Sequence, residues 1–325
     1  MKLIAIEEHF LTQDVREAWD KAAAATDDSA RLNSGCVGER LDDLGEDRLR
    51  LMDETGVHVQ VLALTAPGFH NLESDSVRLA QRTNDFVAAT VARRPDRFQG
   101  LAALPTAMPL EAARELERGI RELGLKGAML YGRTREKNLD HKDFWPIFEA
   151  AAGLGIPLFI HPQIPQKAVR DACYAGFGDD VDLALSCYAI GWHYEAGIQF
   201  VRLVLAGVFD RFPQLQIILG HWGEVVLFYS ERLAMLDRVA RLQRPFLDYT
   251  RRNLYLTASG MFNEAWLQRS IQIVGSDRIL FSSDYPYQYR PGRDARRFLE
   301  ALSLDDHAKE MFAHANWHRL TDRRN

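Results

Sequence analysis

Eight short β-rich runs recur along this chain, each followed by a segment with the spacing of an amphipathic helix, which leaves few folds open to it. The runs are residues 3–9 (LIAIEEH), 58–63 (HVQVLA), 98–103 (FQGLAA), 127–131 (GAMLY), 157–161 (PLFIH), 216–221 (QIILGH), 254–258 (LYLTA) and 278–284 (RILFSSD). Most are continuous apolar stretches rather than alternations, as in strands covered on both faces of a parallel sheet. Helices are expected at 46–55, 76–94, 109–123, 144–154, 193–212, 224–242, 263–274 and 293–302. Eight strand-and-helix units predict an α/β fold, a (β/α)8 TIM barrel, as one domain over residues 1–325. A doubly wound sheet would carry a GxGxxG turn after an early strand, and the sequence has none.

Two connections are far longer than the usual βα loop of about 2 to 6 residues: 9 to about 44, and 162 to about 190. Both leave the C-terminal end of a strand, where a barrel carries its active site, so cap insertions are expected after strands 1 and 5, with a helix at 14–25 in the first. Residues 305–320 read as terminal helices closing the barrel.

The 47% hydrophobic and 26% charged residues describe a folded globular chain, and a net charge of -5 provides no footprint for nucleic acid or an anionic membrane. Cys36, Cys173 and Cys187 show no CxxC spacing and are odd in number, which argues against a disulfide framework and for the cytoplasm. The N-terminal run is broken by two glutamates, and no stretch reaches about 18 uninterrupted apolar residues, so neither export nor membrane insertion is expected.

A barrel gathers the C-terminal tips of distant strands at one mouth. Here strand one ends in Glu7, Glu8 and His9, strand five in His161, strand six in His221 and strand eight in Asp284. With only ten histidines in the chain, three on strand tips is hard to assign to chance. Period two puts Glu7 and His9 on the inner face and Glu8 toward the helices. Glu7, His9, His161 and Asp284 then make a mixed nitrogen and oxygen set for one divalent cation with positions open to substrate. Taken singly, a carboxylate at a strand end is ordinarily a surface or capping group, and His161 reads equally well as a buried histidine on a backbone carbonyl. Convergence of all four favours the metal. His58, His307, His314 and His318 read as structural, His70 and His141 as loop residues, and His193 receives no role.

The motifs IEEHF, FIHP, ILGHWGE and FSSDYP, with LALTAPG and RPDRFQGLAALP, resemble the amidohydrolase superfamily. More narrowly they resemble its metal-dependent, non-oxidative aromatic-acid decarboxylases, the γ-resorcylate, 2,3-dihydroxybenzoate and 5-carboxyvanillate decarboxylases. The likeness spans essentially the whole chain. It implies that Glu7, His9, His161 and Asp284 are metal ligands, that His221 is an active-site histidine oriented by Glu224, and that Arg232 contacts the substrate carboxylate. It further implies one divalent ion, Mn²⁺ in preference to Zn²⁺, no organic cofactor, a small aromatic carboxylic acid as partner, and a homo-oligomer, dimer or tetramer. Binuclear relatives need H-x-H on strand one and a lysine ending strand four; here position 7 is Glu7 and Lys126 opens that strand, which favours a single ion. Strand four ends in Met129, Leu130 and Tyr131, where the γ-resorcylate type carries asparagine. DYPYQY is closer to the 5-carboxyvanillate type, whose first strand lacks this histidine.

The expected enzyme is a carboxy-lyase that converts an ortho-hydroxy aromatic acid to a phenol and CO2. Protonating the ring carbon that bears the carboxylate is the barrier, and Asp284, then His221, are the candidate proton donors. Phe10, Trp192, Trp222, Tyr285, Tyr287 and Tyr289 either wall an aromatic pocket or pack the barrel and caps, with Phe10 and Tyr287 taken as substrate contacts. The alternative on the same site is a mononuclear metal-dependent hydrolase of a lactone, ester or amide. A non-enzymatic binding protein on this barrel is a third reading, and it leaves the tip constellation without a purpose.

Overall fold

The computed structural model describes residues 1–22, 28–73, 75–292 and 294–322. Its strands are β1 (Ile4–Phe10), β2 (Val59–Leu64), β3 (Phe98–Gly100), β4 (Ala102–Ala103), β5 (Ala128–Tyr131), β6 (Pro157–His161), β7 (Gln216–Leu219), β8 (Leu254–Thr257) and β9 (Ile279–Leu280). All pair in parallel, in a three-stranded sheet β1-β2-β3 and a six-stranded sheet β4-β5-β6-β7-β8-β9. The third run supplies both β3 and β4. Leu101 between them still donates its N–H to Leu62 O at 2.8 Å, whereas Ala102 donates to Gly127 O at 2.8 Å, so one stretch of chain passes from one sheet to the other. At the far edges Ile6 N donates to Phe281 O at 3.0 Å and His9 N to Tyr285 O at 2.7 Å.

Alternation sorts the strand side chains into two buried sets. Ile4, Ile6, Val59, Val61, Met129, Phe159, Ile218 and Leu280 form an inner cluster with Trp317 and Leu320 of the terminal helix Asn316–Thr321. Leu62, Leu64, Leu130, Leu158, Ile217 and Leu256 face the helices. Each such fully buried side chain contributes about 1.5–3 kcal/mol, and the two layers together fix where the strand tips lie. Trp317 also donates Nε1–H to Gln99 Oε1 at 2.8 Å, which ties the C-terminal helix to β3.

β1 departs from strict alternation at the decisive place. Ile4 pairs with Val59 and Ile6 with Val61, but Glu8 pairs with Leu62, so Glu7 is an extra residue, a bulge, with φ 103°. Uninterrupted period two from Ile4 and Ile6 would have sent Glu8 and Phe10 inward and Glu7 and His9 outward. The bulge reverses the phase, so Glu7 and His9 face inward as expected, though by a different route.

Several expected elements are corrected. The strand expected to reach His221 stops at Leu219, because His221, Trp222, Gly223 and Glu224 all have φ between 48° and 85°. Four left-handed residues cannot start an α-helix, so the helix expected at 224–242 is replaced by turns followed by the short helices Ser230–Leu233 and Leu236–Val239. The last strand ends at Leu280 rather than Asp284, whose φ is 56°. The helix expected at 193–212 runs Gly191–Leu205 and then Val208–Arg211, broken where Gly207 takes a left-handed φ of 73°. A helix at Phe246–Asn253, not foreseen, precedes β8. In the first long connection Gln13–Ala22 is helical, and the last part of the helix expected at 14–25 lies outside the described residues. The second holds Lys167–Cys173 and Asp179–Ala184. No helix among the described residues is long and apolar enough to cross a membrane.

Candidate active site

At the C-terminal tips of the strands, Glu7, His9 and His161 present ligand atoms all within 4.8 Å of one another. His9 Nε2 is 3.4 Å from Asp284 Oδ1, and His161 Nε2 is 3.8 Å from Glu7 Oε1. All four side chains are buried. The structure thus brings together the four residues that the sequence singled out.

Their hydrogen bonding sorts the atoms into held and free. Thr257 Oγ1 at 3.2 Å, Ser282 Oγ at 3.3 Å and Ser259 Oγ all donate to Glu7 Oε2. Glu7 Oε1 and both ring nitrogens of His9 have no hydrogen-bond partner. His161 Nδ1 lies 2.7 Å from Pro162 O; a carbonyl only accepts, so Nδ1 carries the proton and Nε2 keeps its lone pair toward Glu7. Gly220 leaves this space open, since a Cβ there would stand 3.1 Å from Glu7 Oε1 and 2.8 Å from Ser259 Oγ. Burial raises the Glu7 carboxyl to about 8, the charge of His221 partly opposing it and that of Asp284 adding to it. Burial likewise lowers His161 to about 3, with His9 adding to the effect. Unpaired buried lone pairs on oxygen and neutral imidazole are costly as they stand and are what a divalent cation takes, so the residues present fit one. Lys126 lies elsewhere, 3.6 Å from Asp322.

Glu8 points outward and fastens the tip of β1. It accepts from Ser283 N at 2.9 Å, Ser283 Oγ at 2.6 Å and Gln60 Nε2 at 3.2 Å, while Arg48 donates to Gln60 Oε1 at 2.6 Å and to His9 O at 2.8 Å. Burial raises Glu8 to about 7 in spite of these bonds. Sequence reading missed this support, and likewise Thr257, Ser259 and Ser282, because single polar residues carry no pattern.

The turn after β7 sets the second group. His221 Nδ1 is 2.9 Å from Glu224 Oε1, and His221 Nε2 is 4.0 Å from Asp284 Oδ2. Burial pushes Glu224 up, but the opposing charges of His221 and His193 and their hydrogen bonds hold it down at about 2. Burial lowers His221, yet Glu224 beside it holds it up at about 10. His193 Nδ1 reaches the other oxygen of Glu224 at 2.7 Å.

A cavity of about 1010 Å³ opens above these groups, with His161, His221, Glu224 and Asp284 in its lining. Trp192, Trp222, Trp266 and Tyr287 wall it, Leu32 and Asn33 reach it from the first long connection, and Tyr188 and Ile190 from the second. Tyr287 donates to Asn33 Oδ1 and accepts from Thr65 Oγ1 at 2.5 Å, with its ring 5.5 Å from that of His9. Phe10 is not brought to the cavity: it lies beyond the bulge on the outer face of β1, fully buried against the helices near Phe86. Arg232 is likewise absent from the lining and is exposed on Ser230–Leu233, where the left-handed turn has redirected the chain. The arginine in the cavity lining is Arg269. Tyr285 packs under Arg48 and Tyr289 under Arg40, each 4.4–4.5 Å from ring centre to guanidinium, and neither lines the cavity.

The family model described as Amidohydrolase matches residues 66–320. A γ-resorcylate decarboxylase from Polaromonas sp. (strain JS666 / ATCC BAA-500) is 38% identical over 302 residues, 88% of this chain and 88% of that protein. Among solved structures, a 5-carboxyvanillate decarboxylase from Novosphingobium aromaticivorans DSM 12444, complexed with manganese and 4-hydroxy-3-methoxy-5-nitrobenzoic acid, superposes with a TM-score of 0.90 at 31% identity, covering 99% of this chain and 96% of that one. A dihydroxybenzoic acid decarboxylase from Polaromonas sp. JS666, with bound manganese and 2-nitroresorcinol, gives 0.84 at 33% identity, with 99% and 97% covered.

Proposed function

Because the chain belongs to the amidohydrolase family, we propose that it is a metal-dependent, non-oxidative decarboxylase of a hydroxybenzoate-type acid. The observation that carries this reading is the set of buried, unpartnered atoms Glu7 Oε1 and the His9 ring nitrogens, gathered with His161 and Asp284 beneath an aromatic-walled cavity that His161 and Asp284 line. Glu7, His9, His161 and Asp284 would hold one divalent ion, manganese by preference. When bound, that ion supplies positive charge to a chelating carboxylate and ortho phenolate and holds the ring in place.

The chain's own groups then handle the proton. Asp284 accepts the phenolic proton as the acid binds and returns it to the ring carbon that bears the carboxylate, where a C–H bond forms and aromaticity is lost. The C–C bond then breaks, its electron pair restores the ring, and CO2 leaves. Water reprotonates the departing phenolate. His221 Nε2, 4.0 Å from Asp284 Oδ2 and oriented by Glu224, supports Asp284 and is the second candidate donor. Trp192, Trp222 and Tyr287 provide flat apolar faces for the ring and exclude water.

On the same reading the two sheets form one closed eight-stranded barrel, supported by the backbone bonds at Leu101 and Ile6, and the two long connections cap its mouth. A homo-oligomer in the cytoplasm belongs to this reading too. Arg232, exposed in the single chain, contacts substrate carboxylate only if the substrate or the oligomer reaches it. The test is a panel of hydroxybenzoates, lactones, esters and amides offered to metal-loaded protein, with CO2 and acid release recorded separately. CO2 from ortho-hydroxy acids is the expected result; steady hydrolysis without CO2 would replace the decarboxylase by the hydrolase.

A further inference from the structure

Glu224 is fully buried in its side chain, and its two oxygens are divided between two histidines. His221 Nδ1 takes Oε1 at 2.9 Å and His193 Nδ1 takes Oε2 at 2.7 Å, with the two rings edge to face and their centres 4.5 Å apart. His193 is only 17% exposed in its side chain and opens the helix Gly191–Leu205. Its other nitrogen, Nε2, lies 3.2 Å from Tyr188 O in the irregular segment Leu185–Ala189. Carboxylate and carbonyl oxygens are both acceptors, so each ring nitrogen of His193 faces an acceptor in this geometry. The ring is pinned at both ends. A carboxylate gripped at one oxygen alone can swing about its Cγ–Cδ bond; gripped at both it presents Oε1 to His221 in one orientation.

We propose that His193 is a positioning residue: by holding Oε2 of Glu224 it fixes Oε1 on His221 Nδ1, and so keeps His221 Nε2 turned toward Asp284. The proposal rests on the reading above only in giving that arrangement a part in decarboxylation. A plainer role is available to the same side chain, as a peg that holds the Tyr188 carbonyl and shapes the cavity rim. Amide variants separate the two. Asparagine places its amide N–H where Nδ1 was and can still reach Glu224, whereas glutamine places it where Nε2 was and can reach only Tyr188.

The experiment compares His193→Ala, His193→Asn and His193→Gln in the metal-loaded full chain. Alanine and glutamine are expected to lower kcat by about 10- to 100-fold with KM and metal content nearly unchanged, and asparagine to restore most of it. Independently of any substrate, the zinc-loaded enzyme should show a downfield Nδ1–H proton resonance for His221 in NMR, identified by its loss in His221→Asn. That resonance should survive in His193→Asn and broaden away in His193→Ala. Rescue by glutamine rather than asparagine, or a His221 resonance and kcat both unchanged in His193→Ala, would overturn the proposal. So would two metal ions per wild-type chain with one lost in His193→Asn, which would make these residues a second metal site. If wild-type enzyme releases no CO2 from any hydroxybenzoate, the functional reading fails, and the resonance alone decides the place of His193.

Discussion

Ser259 Oγ donates to Glu7 Oε2 and thereby leaves Oε1, which stands 3.8 Å from His161 Nε2, as the free end of that carboxylate. The bond spans almost the whole chain, from β1 to the residue just past β8 and Ala258. Ser259 also accepts the His221 N–H at 2.8 Å, so one hydroxyl registers Glu7 against the turn that carries His221. Ser259→Ala is therefore expected to weaken divalent-ion affinity by about 10- to 100-fold while the chain stays folded, measured by competition with a chelating dye and by circular dichroism.

The convergence of Glu7, His9, His161 and Asp284 leads to one divalent ion per chain. Elemental analysis should return close to one equivalent after loading with manganese, and His161→Ala should lose it, since three ligands remain. Two equivalents, or none under any loading, would remove the basis for this site.

His221 is held by Glu224 and stands 4.0 Å from Asp284, outside the tight group of Glu7, His9 and His161. His221→Asn should keep its metal and lose turnover by about 100-fold or more, the range of a lost general acid–base partner. Metal content that collapses with it would make His221 a ligand instead.

The Glu224–His221 pair also marks the stability of the metal-free chain against pH. Glu224, held down at about 2 from 4.5, contributes stability that is full above about 4.5 and is lost as pH falls toward 2. His221, held up at about 10 from 6.5, contributes stability that is full below about 6.5 and is lost as pH rises through 10. Urea midpoints of the metal-free protein should thus gain from this pair most between about pH 4.5 and 6.5. In His221→Asn the decline on the alkaline side should flatten.

Chelation through a carboxylate and a neighbouring phenolate sets the expected specificity. Salicylate-like and dihydroxybenzoate-like acids should release CO2, and meta-hydroxy and O-methyl analogues should do so at least about 100-fold more slowly, having lost the second chelating oxygen. Equal rates for ortho- and meta-hydroxy acids would defeat the chelation argument.

Much of the site was legible in the sequence because it rests on residue types at strand ends. The E-x-H of IEEHF, His161 after PLFI, and Asp284 in FSSDYP lie where continuous apolar runs stop, and parallel strands bring such ends together whatever their separation in the chain. Each run supplies strand in the structure, since continuous burial on both faces is a property of the strand's own residues, although the third is divided between two sheets and the last keeps only Ile279–Leu280.

What only the tertiary structure decided concerns direction. Periodicity read from Ile4 and Ile6 would turn Glu7 away from the site; the bulge that turns it back is specified by hydroxyls of Thr257, Ser259 and Ser282, far along the chain. The same bulge sends Phe10 outward. The left-handed residues from His221 to Glu224 contain a single glycine, so local propensity favoured a helix there; Ser259 and Thr257 O, which receives the Trp222 N–H at 2.9 Å, hold the turn instead. That turn folds Glu224 beneath His221, carries Arg232 out to the surface, and brings His193 from another helix to the same carboxylate. Residue types and run lengths are local and can be read along the chain, whereas phase, left-handed backbone and the partners of single polar groups are set by contacts between segments that meet only when the chain is folded.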